Sequence, residues 1–262
     1  MARLHIFGGT SDARKLCTLL DQIGMDYSVS VASDVGRAVA AELQGDIHVG
    51  RLDANAMIDW LKTNAIQCVV DAAHPYATLL HRNIQTACES LGIQLIRYER
   101  PSEVVVEHPL IHRVPTVAAA CDCAQTLGPR VLLTTGSKDL LLFRQALPNH
   151  HLIARVLPTA EVIQQCESLG FGVDQIIGMK GPFTAEMNQA LYQFCQPDVV
   201  ITKESGQEGG FQEKIQPCIV AGIHCIVIER PQSVMTAQNA TICHTIEEIL
   251  PLLTCFQTRE PA

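Results

Sequence analysis

Nothing in the 262-residue chain reads as a membrane span, since no apolar run approaches the ~20 residues that a span requires. Grouped cations are missing as well. Nineteen Lys and Arg are scattered among 27 Asp and Glu, for a formal net charge of −8, whereas a nucleic-acid surface needs clustered positive charge. No C-x-x-C pair occurs among the eleven cysteines. The nearest two, Cys121 and Cys123, fall on a helical pattern in which positions two apart do not face each other. An odd count without an export signal argues against a disulfide framework. The start of the chain shows no charged region, apolar stretch and cleavage site of a secretory leader. His150 and His151 have no acid or cysteine at ligand spacing, so no metal site is expected there. The expectation is a cytoplasmic protein with no membrane, nucleic-acid or metal partner.

Apolar residues are abundant, at 47% against 18% charged, which allows a substantial core and argues against disorder. The cysteines belong with that core. Cys68 sits beside VV, Cys225 lies inside HCIVI, and Cys17, Cys88 and Cys218 fall within helical patterns. They read as small hydrophobes.

Apolar runs alternate with helical patterns along nearly the whole chain. LHIF precedes a helix from about Ser11 to Ile23, YSVSVA one from Val35 to Leu43, and DIHVG one from Ala54 to Lys62. QCVVDA precedes a helix from Tyr76 to Leu91, and IQLIRYER closes the series. Strands separated by helices predict a parallel, doubly wound sheet with right-handed crossovers. The pattern then restarts with RVLLTTG, HLIARVLP, QIIGM, DVVITK and IHCIVIERP, before a last helix near Ile246. The stretch from Arg100 to Arg130, with Pro101, Pro109, Pro115 and one helix, reads as a connector. The predicted fold class is therefore α/β with two Rossmann-like domains, residues 1–101 and 102–262, each a mostly parallel sheet flanked by helices. The active site is expected in the cleft between them.

Ligands of such sheets bind beyond the carboxyl ends of the strands. The loops there read GGTSDA, ASDVGR, GRLD, DAAHPYA and RYERP in the first half. In the second half they read TTGSKDL, ARVLP, MKGPFT, TKESGQEGG and IERP. In GGTSDA, Gly8 and Gly9 let the backbone approach a phosphate at a helix N-terminus. Thr10, Ser11 and Asp12 complete that cradle. The spacing departs from G-x-G-x-x-G, so alone it also suits a plain strand-to-helix turn. At the end of the second strand, Ser33 and Asp34 favour a free ribose 2′-hydroxyl, and Arg37 favours a 2′-phosphate. NADH is expected on the strength of Asp34, with NADPH open. In DAAHPYA, Pro75 suits the first turn of a helix. That arrangement holds His74 and Tyr76 at the sheet edge with Asp71 below, while His81 reads as a surface residue.

Taken together, GGTSDAR, GRLD, DAAHPYA, RYERP, LLTTGSKDL, ARVLP, GPF and TKESGQEGG…EK occur in the order and spacing of the precorrin-6A reductase family. The chain resembles that family from Leu4 to about Pro231. QEKIQPC and CIVIERP are most similar to the cobalt-precorrin-6A reductases of the anaerobic cobalamin route. Ala73 stands where many relatives carry Thr or Ser. The resemblance implies a two-domain fold that reduces one double bond of a corrinoid ring with a nicotinamide cofactor. It also implies a carboxylate-rich corrinoid as substrate, and transient contact with neighbouring pathway enzymes.

A protein of net −8 must place cations locally to hold such a substrate. The candidates are Arg97, Gly136, Ser137, Lys138, Arg155, Lys180, Ser205, Gly209 and Lys214, with helix N-termini adding backbone donors. His74, Tyr76 and Lys203 are the candidate proton donors, and Asp71 is grouped with the cofactor site. A methyltransferase or a non-catalytic tetrapyrrole carrier would share parts of this pattern. The first would be expected to carry a looser G-x-G loop, and the second has no need of GGTSDA.

Overall fold

The computed structural model describes residues 4–32, 34–99, 107–204, 210–231 and 239–256. The chain forms two compact units, Met1–Pro101 with Pro231–Ala262, and Ser102–Arg230. Residues 231–262 therefore belong with the first unit, which corrects the expected second domain of 102–262.

The first unit begins β1 (Leu4–Phe7), α1 (Ser11–Gln22), β2 (Ser28–Val31), α2 (Asp34–Ala40) and β3 (Asp46–Val49). It continues with α3 (Ala54–Thr63), β4 (Cys68–Asp71), α4 (Thr78–Leu91) and β5 (Gln94–Tyr98). The second unit holds β6 (Ile111–Val114), α5 (Val117–Ala124), β7 (Arg130–Leu133), α6 (Leu140–Ala146) and β8 (His151–Val156). After α7 (Ala160–Ser168) come β9 (Ile176–Gly178), α8 (Ala185–Cys195), β10 (Val199–Lys203), α9 (Gln212–Ala221) and β11 (His224–Ile228). The chain then returns to the first unit as β12 (Ala240–Cys243) and α10 (Ile246–Leu253).

Every strand pairing is parallel. The first sheet runs β12-β5-β4-β1-β2-β3 and the second β6-β11-β10-β7-β8-β9. These are the same order, 3-2-1-4-5 plus one edge strand, and the edge strand comes first in chain order in one sheet and last in the other. β6 precedes all other strands of its sheet, and β12 follows a whole intervening unit. Both are short, with partly exposed patterns, so neither carries the continuous apolar run that marks a strand covered on both faces. That is why the sequence shows a connector where β6 lies, and no strand where β12 lies.

The central strands alternate between two cores. Cys68 and Val70 pack with Leu4, Ile6, Leu16 and Leu253, while Val69 packs on the other face with Phe7, Met57 and Ile84. In the second unit Val131 and Leu133 face one cluster and Leu132 the other. Threonines set many of the helix starts. Thr10, Thr116, Thr159, Thr184 and Thr245 each accept the backbone N–H three residues on, as Asp53 does for α3, satisfying a donor that the helix leaves open. Most of the cysteines are buried, as their setting predicts. Burial pushes the Cys17, Cys68 and Cys88 thiols up to about 12. Among the described residues, no helix is long and apolar enough to cross a membrane.

Candidate functional site

Strand order reverses between β1 and β4 in the first sheet and between β7 and β10 in the second. Such points are where loops part to leave a crevice.

At the first, Gly8 donates its N–H to the Ser30 carbonyl at 2.9 Å, which tucks the turn against β2. Gly9 has φ +96°, and a Cβ there would meet nothing within 4 Å. The glycine is thus required by the backbone, and open space lies above it. Thr10 Oγ1 accepts from Ala13 N at 3.1 Å and donates to the Ala72 carbonyl at 2.9 Å. Its hydroxyl ties the β1 and β4 loops together, which leaves Ser11 and the first N–H groups of α1 as the donors toward a ligand. A cavity of about 360 Å³ lies over this turn, lined by Gly9, Ser11, Arg14, Val31 and Gly36 among others.

Arg14 was missed by the sequence reading. The signal was available, since it lies four residues after Thr10 and so on the same helical face. Asp34 and Arg37 are exposed on α2, while Ser33 lies outside the described residues. Asp12 is buried and turns away from solvent.

The β4 loop differs from expectation in three ways. Pro75 is not in the first turn of α4. It occupies a separate tight turn closed by Ala77 N donating to the His74 carbonyl at 2.8 Å, and α4 starts at Thr78. His81 is not at the surface. It is buried on the α4 face with Ile84 and Cys88, and that i, i+3, i+7 spacing could have revealed it. Its Nδ1 lies 2.7 Å from Asp71 Oδ2 and its Nε2 3.0 Å from the His74 carbonyl oxygen. Asp71, expected at the cofactor, is 1% exposed. Its carboxylate accepts from Ala73 N at 3.2 Å and from Arg97 Nη1 at 3.0 Å. Arg97, expected at the substrate, is buried and also donates to Glu99 at 3.0 Å. Burial of a carboxylate is tolerable only with such partners, so Asp71 and Arg97 hold the scaffold under the loop. His74 is exposed, and its Nδ1 accepts the Tyr76 N–H at 3.3 Å.

Behind the turn, the His5 ring lies between Ser28 Oγ at 2.8 Å and Ser30 Oγ at 2.9 Å. Burial, helped by nearby His48, lowers its pKa to about 3.

In the second unit, Thr134 Oγ1 donates to the Ile201 carbonyl at 3.0 Å and joins the β7 and β10 loops. Gly136 takes φ +80°, the Ser137 carbonyl accepts from Gln165, and Lys138 is exposed. Lys203 Nζ lies 2.6 Å from Asp139 Oδ2, so its charge already has a counterion in the protein. Lys214, expected at the substrate, is buried on α9, withdrawn from the surface. Lys180 is exposed in the β9–α8 loop. Ser205 and Gly209 lie outside the described residues.

Arg155 stands apart. It is 5% exposed, its guanidinium lies 4.0 Å from the Phe183 ring centroid, and Nη1 donates to Asn188 Oδ1 at 2.7 Å. Burial lowers its pKa. Among the described residues no carboxylate pairs with it. Thr135 Oγ1, in the neighbouring β7 loop, is buried without a hydrogen-bond partner among the same residues. A buried cation and an orphaned hydroxyl suit an anionic ligand.

The profile of the family described as "Precorrin-6x reductase CbiJ/CobK" matches residues 3–254. The cobalt-precorrin-6A reductase of Salmonella typhimurium is 51% identical over 235 residues, 89% of either chain. That of Priestia megaterium is 32% identical over 251 residues, 95% of this chain and 96% of its own. Among solved structures, that of CobK precorrin-6A reductase superposes with a TM-score of 0.78 at 25% identity, covering 98% of this chain and 97% of that one.

Proposed function

The chain belongs to the CbiJ/CobK precorrin-6x reductase family, and from that membership we propose that it reduces one macrocycle double bond of cobalt-precorrin-6A, giving cobalt-precorrin-6B. The single observation on this chain that carries the substrate side is Arg155, a buried cation with no acid among the described residues. A corrinoid with acetate and propionate arms supplies the missing anion. Thr135, Lys138 and Lys180 stand on loops at the same end of that sheet and add hydrogen bonds and charge.

The first unit suits a nicotinamide dinucleotide. The open space above Gly9 and the ~360 Å³ cavity accept a phosphate-bearing ligand, with α1 N–H groups, Ser11 and Arg14 toward its charge. We assign NADH as the reductant, with Asp34 accepting from the adenosine ribose. When bound, that cofactor supplies a hydride to one ring carbon. The chain supplies the rest: orientation, and a proton at the adjoining carbon. His74 suits the second task as its imidazolium. The neutral ring left after donation keeps its proton on Nε2, and its Nδ1 lone pair then accepts the Tyr76 N–H. Lys203 has its ammonium on Asp139 and serves better as a fixed charge than as a donor.

The test is anaerobic incubation with cobalt-containing and metal-free precorrin-6A, each with NADH and with NADPH. Turnover is expected with the cobalt form and NADH. Turnover of the metal-free form alone would reassign the substrate. Gly9→Val places a branched side chain where the phosphate approaches, and should abolish NADH binding by fluorescence titration. Parental affinity in that variant would put the phosphate elsewhere.

A further inference from the structure

The buried His81 lies between two groups that can only accept. Asp71 Oδ2 also receives the Arg97 guanidinium, and Asp71 Oδ1 receives the Ala73 N–H, so this carboxylate is ionised and has no proton to give. The His74 carbonyl oxygen, 3.0 Å from Nε2, has none either. An imidazole that faces an acceptor at each nitrogen needs an N–H on each, and only the imidazolium has both.

We propose that His81 is a protonated positioning residue, which holds the His74–Ala77 turn in place by donating to the His74 carbonyl while Asp71 holds its other edge. The same carbonyl accepts the Ala77 N–H that closes the turn, so the bond from His81 fixes the peptide from which the His74 and Tyr76 side chains project. Asp71, Arg97, Glu99 and His81 form a chain of alternating charges with no net charge, which is how a buried imidazolium is tolerated. The other titratable groups around it leave this balance intact. α3, packed against α4, contributes Met57 and Leu61 as its buried residues, and its Asp59 and Lys62 are exposed. Arg82 on α4 itself is exposed. The Cys88 thiol, raised by burial and by Asp71, stays neutral. His74 shares the turn.

A ring with a single proton would keep the bond to Asp71 and point a lone pair at the carbonyl oxygen, which leaves the turn without this bond. For catalysis, the inference rests on the reading that this turn faces the reactants. The first experiment is independent of that reading: long-range ¹H–¹⁵N spectra of the imidazoles in the full-length wild-type protein. His81 is expected to carry protons on both nitrogens. A single protonated nitrogen in His81 overturns the proposal.

The second is steady-state kinetics of His81→Gln, with NADH affinity measured separately. The expected result is a fall in kcat of about 10- to 100-fold from loss of positioning, unchanged NADH affinity, and a pH–rate profile displaced from the parental one. A doubly protonated His81 with parental kcat and pH profile in His81→Gln keeps the latch. It would remove the His74 turn from the reaction, which separates failure of this inference from failure of the functional assignment.

Discussion

Two sheets with one strand order each bury a charge near the central loops, and the two charges, Asp71 and Arg155, are treated in opposite ways. In the first unit the buried carboxylate Asp71 has His81, Arg97 and the Ala73 N–H around it, and Arg97 has Glu99 in turn. In the second the buried cation Arg155 has an amide oxygen, an aromatic face and no acid among the described residues. Both units join their central loops with a threonine hydroxyl, Thr10 to the Ala72 carbonyl and Thr134 to the Ile201 carbonyl. The scaffolds thus match and the charges do not. A compensated charge fixes a loop; the uncompensated one is the group proposed above to meet a ligand.

Stability measurements can break that comparison. Asp71→Ala leaves the buried Arg97 guanidinium and the His81 ring facing a lost anion, and removing one partner of a buried ion pair costs about 3–5 kcal/mol. Urea denaturation should show a loss of that order. Arg155→Met removes a buried charge that has no acid among the described residues but leaves the buried Asn188 Oδ1 without its donor, so its loss should stay at about 1–3 kcal/mol, below that of Asp71→Ala. Equal losses in the two variants would mean that Arg155 also has a structural counterion.

Acid titration adds a second contrast. His5 is neutral in the fold with its pKa lowered to about 3 from an ordinary 6.5. Below 6.5 the unfolded chain takes up a proton that the native protein refuses until about pH 3, so stability is lost as pH falls through that window. The slope from one group is at most about 1.4 kcal/mol per pH unit, and above the window His5 contributes nothing. His5→Gln should flatten this slope relative to the parent. The second unit has its own histidine pair, His112 Nε2 at 3.0 Å from His224 Nδ1. Burial and then His224 lower His112, but the pair is partly solvated and screened, so His112→Gln should change the slope less.

Substrate affinity sharpens the comparison from the other side. A charge-assisted hydrogen bond contributes roughly 1.5–3 kcal/mol, so Arg155→Met should raise the substrate KM about 10- to 100-fold. NADH affinity, a property assigned to the other unit, should stay at the parental value. Lys138→Ala should have a smaller effect that shrinks with salt, because an exposed charge is screened over about 8 Å at physiological ionic strength. Parental kinetics in both variants would remove these loops from the substrate site.

The parts of this picture legible in the sequence are those with strong local signals. LHIF-GG-T marks a buried strand, a turn that needs positive φ at Gly9, and a capped helix, and all three are present. The two edge strands were illegible because four residues with half-exposed patterns carry no periodic signal, and because pairing β12 with β5 needs a contact across the whole second unit. The candidate site divides in the same way. Residue type and loop position brought forward Asp71, Arg97, Lys203 and Lys214. Sequence could not say which of them the fold would pair internally. Asp139 beside Lys203 and Arg97 beside Asp71 are partnerships between elements distant in sequence, whereas His81 reaches Asp71 from the very next helix.

The smallest expected effect concerns the choice of cofactor, and it tests whether the first unit also keeps a charge open for a ligand. Asp34 and Arg37 are both exposed on α2, so in the proposed site each would act on the adenosine ribose through a screened medium. One exposed hydrogen bond of about 1 kcal/mol is worth roughly fivefold in affinity. Asp34→Ala should therefore weaken NADH about fivefold. The same change should strengthen NADPH, because a carboxylate repels the 2′-phosphate. Arg37→Ala should weaken NADPH while leaving NADH near the parental value. Isothermal titration of both cofactors against both variants gives four affinities, and the opposite signs at Asp34 are the discriminating result. If Asp34→Ala weakens neither cofactor and Arg37→Ala costs both equally, the ribose edge lies elsewhere. Arg14 on the cavity wall would then be the cation that decides the preference, and the open charge of the first unit would sit on α1 rather than α2.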